Sequence, residues 1–326
     1  MMKFISKIAL CVGALLITTN MANAEARTVR IASHVSKLSP LHAQSELFAT
    51  EIEKRLPGQF EFRLYPGGQL GKEKALITNL QAGSLEMINV ASGVMKLDKK
   101  LGVFDLPWLF DDREHVQRAM KAGLETAIRA RIEEVAGIKV IGVYENGFRN
   151  VINGQRAVTT PADMEGLKIR VSGGKFRQGV FKGMGATPQK VAWKETFTAL
   201  QTGVVDGAEA ATYGFYEQKH YEVAGHLSLT GHVYTPSFLM MSNRFFDSLS
   251  AEEQKIFLEV GREITEQAYE TSAILEAKYF AEMKLLVEIN QVDLPAFQEA
   301  TKLSYDKYIS TQGDEYLKYV RDTAGQ

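Results

Sequence analysis

The chain has 326 residues, with 38 Lys and Arg interspersed among 39 Asp and Glu, for a formal net charge of −1. That balance, with no basic block, excludes a polyanion-binding surface, so no nucleic-acid partner is expected. The single cysteine, Cys11, excludes a disulfide framework and a thiolate metal site.

Lys3 and Lys7 precede an apolar run over 8–17, and Ala22-Asn23-Ala24 sets small residues two apart. This is the pattern of a secretory leader, removed after Ala24 to leave Glu25 first and a net charge of −3. The run is shorter than the roughly 20 residues that span a bilayer. The mature chain is therefore expected in the periplasm, soluble and without cysteine.

From Arg27 onward, strand and helix patterns alternate. Residues 28–33 read as a buried strand, and Pro40 opens a helix with Leu41, Leu47, Phe48 and Ile52 on one face. Residues 60–65 alternate like a strand and stop at Pro66-Gly67-Gly68. A helix over 72–82, a strand over 86–91, helices over 113–121 and 124–135, and a strand over 139–144 follow. Thr160-Pro161-Ala162-Asp163 combines an N-cap, a first-turn proline and an acid. It leads to a strand over 167–171, a helix over 176–183, an extended stretch over 187–191, a helix over 193–202 and a strand over 205–208. Ser250-Ala251-Glu252-Glu253 is a capping box. The helical pattern it opens runs to about Leu286, far beyond the usual length of about 11–12 residues. A last strand over 287–292 and a helix over 295–308 close the chain.

This rhythm predicts an α/β protein with a largely parallel sheet, and roughly 300 mature residues predict two domains. No flexible linker separates them, so ordered crossovers should permit hinge closure on a ligand. The expected division is lobe I over 25–146 with about 236–275, and lobe II over 147–235 with about 276–326.

Enzyme signatures are missing, and no catalytic residue, cofactor or metal is expected. Gly67 to Glu73 resembles a phosphate loop only faintly, with three residues between glycines and Glu73 in place of the magnesium-binding hydroxyl. The six histidines contain no i, i+4 pair, and His226 and His232 flank a predicted loop. Two arginines carry the candidate chemistry instead. Arg170 shares a strand face with Lys168 and leads into Ser172-Gly173-Gly174, where backbone could approach a ligand; its planar fork suits a carboxylate. Arg149 lies just beyond the 139–144 strand, in a predicted loop at the crossover where solute clefts form.

Gly185-Ala186-Thr187-Pro188, followed by Trp193 to Gly207, strongly resembles the substrate-binding component of tripartite ATP-independent periplasmic (TRAP) transporters, of the C4-dicarboxylate-binding (DctP) type. Further segments in register carry the same resemblance: Leu64-Tyr65-Pro66, Ala82-Gly83-Ser84-Leu85-Glu86, Leu106-Pro107-Trp108-Leu109-Phe110, Gly166 to Val171, and Tyr221-Glu222-Val223. The resemblance implies a two-lobed periplasmic binding fold, with the ligand cleft between lobes and a long helix bracing both. It implies that Arg170 grips the solute carboxylate, that Arg149 assists, and that Trp193 lines the pocket. It also implies docking on a permease of one small and one large membrane subunit; a monomer is expected. Ala91-Ser92 and Ala208-Glu209-Ala210 depart from the sialic-acid and dicarboxylate binders, which argues against a glycerol-tailed sialic acid. His34, Glu73, Ser92, Tyr213 and Tyr216 are candidates for replacement contacts. A sugar acid (uronate or aldonate) or another hydroxylated monocarboxylate is favoured. A C4-dicarboxylate or 2-oxo acid binder of the same family, and a ligand-dependent signalling protein feeding a membrane sensor, are the alternatives.

Overall fold

A computed structural model describes residues 25–325, and the predicted leader lies outside them. Nine strands are hydrogen-bonded into one mixed sheet: β1 (Arg27–Ala32), β2 (Phe60–Tyr65), β3 (Met87–Val90), β4 (Ile138–Asn153), β5 (Lys168–Arg170), β6 (Thr187–Gln189), β7 (Gly207–Ala211), β8 (His226–Ser242) and β9 (Glu288–Gln291). Their order is β2-β1-β3-β8-β4-β7-β5-β6, with β9 added to β8. The pairs β1/β2, β1/β3, β5/β6, β5/β7 and β8/β9 are parallel. The largely parallel sheet expected from sequence needs correction at its centre, where β4 and β8 run antiparallel to each other and to β7 and β3.

These two long strands make the molecule two-lobed yet continuous. Ile138–Tyr144 pairs with Ser237–Ser242, next to β3, in the first lobe. Arg149–Asn153 pairs with the start of β8, between β7 and β9, in the second. Register shifts fall between Glu145 and Gly147 and on either side of them. Gly147 has φ 117°, a value that strains any side-chain-bearing residue, so the bulge at the crossing point calls for glycine. The strand expected over 139–144 therefore continues nine residues further, and Arg149 sits in β4 rather than in a loop.

Local sequence accounts for most elements. Ser39 Oγ accepts from His42 N and Pro40 occupies the first turn of the helix Pro40–Arg55, which buries Leu41, Phe48 and Ile52. Burial of each such side chain contributes about 1.5–3 kcal/mol. The helical pattern expected to run unbroken to Leu286 is two helices, Ala251–Glu263 and Thr265–Met283, jointed at Ile264. The first packs Phe257 and Val260 in the first lobe. The second braces both lobes: Ala268 lies in that same core, while Tyr279 stacks on Tyr216 of the second lobe at 4.9 Å. Glu276 accepts from Tyr213 N at 3.2 Å, holding the start of the helix Thr212–Glu217. Tyr308, Tyr316, Leu317 and Val320, from the stretch assigned by sequence to lobe II, pack instead with Val116 and Ile132 of the first lobe. Among the described residues, no helix is long and apolar enough to cross a membrane.

Candidate functional site

The parallel strands of both lobes point their carboxyl ends at one crevice, where ligands of open α/β sheets bind. His34 follows β1, Ala91 and Ser92 follow β3, Arg170 ends β5, and Ala210 and Ala211 end β7. They enclose a cavity of about 270 Å³ whose lining includes seven of the eight residues singled out from sequence: His34, Glu73, Ser92, Arg149, Arg170, Trp193 and Tyr213.

Arg170 lines this cavity although the residue is only 4% accessible. Its Nε donates to Val191 O at 3.0 Å, while its buried Nη1 has no hydrogen-bond partner. Among the described residues, no carboxylate lies within 4 Å of the guanidinium. The Trp193 ring lies 5.0 Å from its Cζ, a cation–π contact that fixes the fork's plane. Burial lowers the Arg170 pKa to about 10, opposed by Glu209 and aided by Arg149, so the group stays charged at neutral pH. Lys168, its neighbour on the strand face, turns to the surface and donates to Gly203 O.

Arg149 is engaged differently. Its Nε pairs with Glu209, and its Nη2 donates to Glu209 O at 2.8 Å and Ser172 Oγ at 2.9 Å. Glu209, fully buried, also receives the Ser172 N–H at 2.7 Å and lies 3.5 Å from both Arg177 Nη1 and His232 Nε2. Burial opposes its ionisation, but Arg149 and Arg177 together hold its carboxyl well below the usual range. His232 and His226 thus belong to strand β8 rather than to the edges of a loop.

Sequence reasoning passed over Arg177 and gave Glu209 no role. Arg177 is fully buried and makes an ion pair with Asp105 of the first lobe at 2.7 Å. Gly173 serves this pair: a Cβ there would come within 2.6 Å of Arg177 Nε and 2.7 Å of Asp105 Oδ1. The backbone approach expected at Ser172-Gly173-Gly174 is therefore to the ion pair, while of the three only Ser172 reaches the cavity. A basic residue three positions after a double glycine, with an acid some 70 residues upstream, offers no local signal for such a meeting.

The first lobe supplies the opposite wall. Glu73 Oε1 accepts from Ala91 N at 2.9 Å and lies 3.8 Å from His34 Nε2. Burial alone would raise the Glu73 pKa, but His34, the Gly93 N–H and Lys96 bring it below its ordinary value. Burial lowers that of His34, whose Nδ1 has no partner. Ser92 Oγ meets Ser172 Oγ at 3.3 Å, and Tyr213 Oη donates to Asn146 Oδ1 at 2.5 Å. Tyr216, by contrast, packs against Tyr279 and Tyr221 away from the cavity lining. One end of the cavity thus carries the arginines, and the other offers a carboxylate and an imidazole with the Lys96 ammonium beside them.

Residues 31–312 match the family model of the bacterial extracellular solute-binding proteins, family 7, also called DctP. The chain belongs to that family. Its members are TRAP solute-binding components, a substrate-binding and not a catalytic family. The 2,3-diketo-L-gulonate-binding periplasmic protein YiaO of Escherichia coli is 29% identical to this family-7 protein over 301 residues, 90% of this chain and 92% of the relative. Among solved structures, a TRAP periplasmic solute-binding protein of Sulfitobacter sp. NAS-14.1 with bound β-D-galacturonate has a TM-score of 0.85 and 27% identity, covering 91% of this chain and all of the other. The sugar acid binding protein DctPAm of Advenella mimigardefordensis, in complex with galactonate, has a TM-score of 0.87 and 28% identity, covering 92% and 98%.

Proposed function

We propose that this family-7 protein works in the periplasm as a monomer, binding a sugar acid, uronate or aldonate, without chemical turnover. It delivers the closed complex to a permease built from a small and a large membrane subunit. The observation that carries this reading is Arg170, a charged and buried guanidinium on the cavity wall with one protein hydrogen bond and no carboxylate partner among the described residues. A ligand carboxylate supplies what it lacks, through charge-assisted hydrogen bonds. Glu73 and His34 on the opposite wall favour hydroxyl groups over a second carboxylate, which Glu73 would repel at close range. Relatives with bound galacturonate and galactonate point the same way.

Isothermal titration with D-galacturonate, D-galactonate and succinate tests the reading. Both sugar acids should bind and heat should report no turnover, while succinate should bind far more weakly. In Arg170→Lys the charge stays but the fork is lost, and affinity for the sugar acid that binds should fall about 10- to 100-fold. An unchanged affinity would remove Arg170 from the role of clamp.

A further inference from the structure

Beyond the clamp, one acidic side chain of the second lobe reaches across the mouth of the cleft. Glu217 ends the helix Thr212–Glu217. Its Oε1 accepts from Trp193 Nε1 at 3.1 Å, and its Oε2 accepts from Ser36 Oγ at 2.9 Å. Ser36 belongs to the first lobe, in the loop after β1. No Lys, Arg or His lies within 4 Å of this carboxylate among the described residues. The titratable groups that face it are Tyr213 on its own helix and Tyr279 of the brace.

Trp193 is the other half of the arrangement. It belongs to the second lobe but packs against Val35, Leu41 and Ala91 of the first. His220 meets it edge-on at 5.1 Å, and a Cβ on Gly214 would lie 3.1 Å from its Cζ2, so the ring has one seat. From that seat it covers Arg170. One carboxylate therefore holds both the ring that orients the clamp and a hydroxyl of the opposite lobe.

We propose that Glu217 is the latch of cleft closure, a positioning residue whose carboxyl group ties Trp193 to Ser36 across the lobes. The proposal rests on the solute-binding reading and extends it to how the closed state is held. It carries a consequence for protons. Burial pushes Glu217 up to about 7, against the hydrogen bonds from Trp193 and Ser36. In the open cleft the group regains water and its ordinary value near 4.5. A group whose pKa rises on closing binds a proton as the lobes meet. Closure is then least opposed below pH 4.5, becomes progressively harder up to about pH 7, and is pH-independent above that.

The test compares wild type, Glu217→Gln and Glu217→Ala with D-galacturonate as probe, at pH 6 and pH 8. Wild-type affinity should fall about tenfold over that interval. Glu217→Gln, whose amide can accept from Trp193 and donate to Ser36, should lose that drop and bind more tightly than wild type at pH 8. Glu217→Ala should release the ligand at least about tenfold faster at pH 6, the factor that about 1.4 kcal/mol of lost latch contact gives. Equal release rates in wild type and Glu217→Ala would overturn the latch. Parallel pH profiles in wild type and Glu217→Gln would overturn the proton uptake. Should wild type not bind D-galacturonate, the choice of ligand has failed, and X-ray scattering of ligand-free protein decides the latch. The radius of gyration should be smaller at pH 6 than at pH 8 in wild type, constant in Glu217→Gln, and largest in Glu217→Ala; identical values in all three would reject it.

Discussion

Glu209 shows how a buried carboxylate can hold a cavity arginine without itself lining the cavity. It pairs with Arg149 and lies 3.5 Å from Arg177, so that of the two cavity arginines Arg170 is the one with no carboxylate within 4 Å among the described residues. Removing one partner of a buried ion pair strands the other, at a cost of about 3–5 kcal/mol. Glu209→Gln should therefore lose stability on that scale in urea unfolding. The pH dependence has a definite sign. A carboxyl held below its ordinary value in the folded state stabilises the fold above pH about 4.5, and that contribution fades as pH falls toward the folded value. Acid unfolding of Glu209→Gln should accordingly be flatter below pH 4.5 than that of wild type. At this scale the sequence was informative for residues that sit in recognisable local settings: Arg170 on a strand entering a glycine pair, Trp193 heading a helix. It was silent on Glu217 and Arg177, whose partners Ser36 and Asp105 lie far away in the chain and meet them only through the tertiary fold.

Among the elements, strands with uniform burial and helices with caps were legible, and the one long strand that was missed explains itself. β8 contains Gly231 with φ 52° and Pro236 opposite the Glu145 bulge, two residues that read as breakers in sequence. They are tolerated because the partner strand is irregular at the same level. The long brace was overread for the opposite reason: apolar periodicity continues through Ile264, where the backbone bends without proline or glycine. Packing of the first brace helix depends on Gly261. Its absent side chain lets β4 approach so closely that a Cβ would come within 2.1 Å of Ile141 O, and Tyr144 Oη donates to Gly261 O at 2.9 Å. Backbone on one side and helix on the other leave nothing flexible to yield. Gly261→Ala should cost about 1–3 kcal/mol or more by overpacking, read as a lowered urea midpoint with unchanged slope.

Across the whole molecule, two of the contacts between the lobes stand out: Glu217 with Trp193 and Ser36, and Asp105 with Arg177. The second contact is fully buried, and Asp105 Oδ2 also accepts from Gly174 N at 2.9 Å. Gly174 lies four residues after Arg170, so a first-lobe carboxylate anchors the segment that carries Arg170. Stability and positioning can be separated here. Asp105→Asn leaves the buried Arg177 with only the more distant Glu209 carboxylate and should lose up to about 3–5 kcal/mol, whereas Asp105→Leu combined with Arg177→Met replaces the pair by apolar volume and should recover most of it. The apolar pair cannot accept the Gly174 N–H, and Glu209 is left with Arg149, Ser172 and His232. If the anchor orients Arg170, affinity for D-galacturonate should stay reduced in the double variant even as its urea midpoint returns toward wild type, because a less organised clamp must be ordered on binding. Recovery of affinity together with stability would mean that the Asp105–Arg177 pair serves the fold alone, and that orientation of the clamp is left to Trp193.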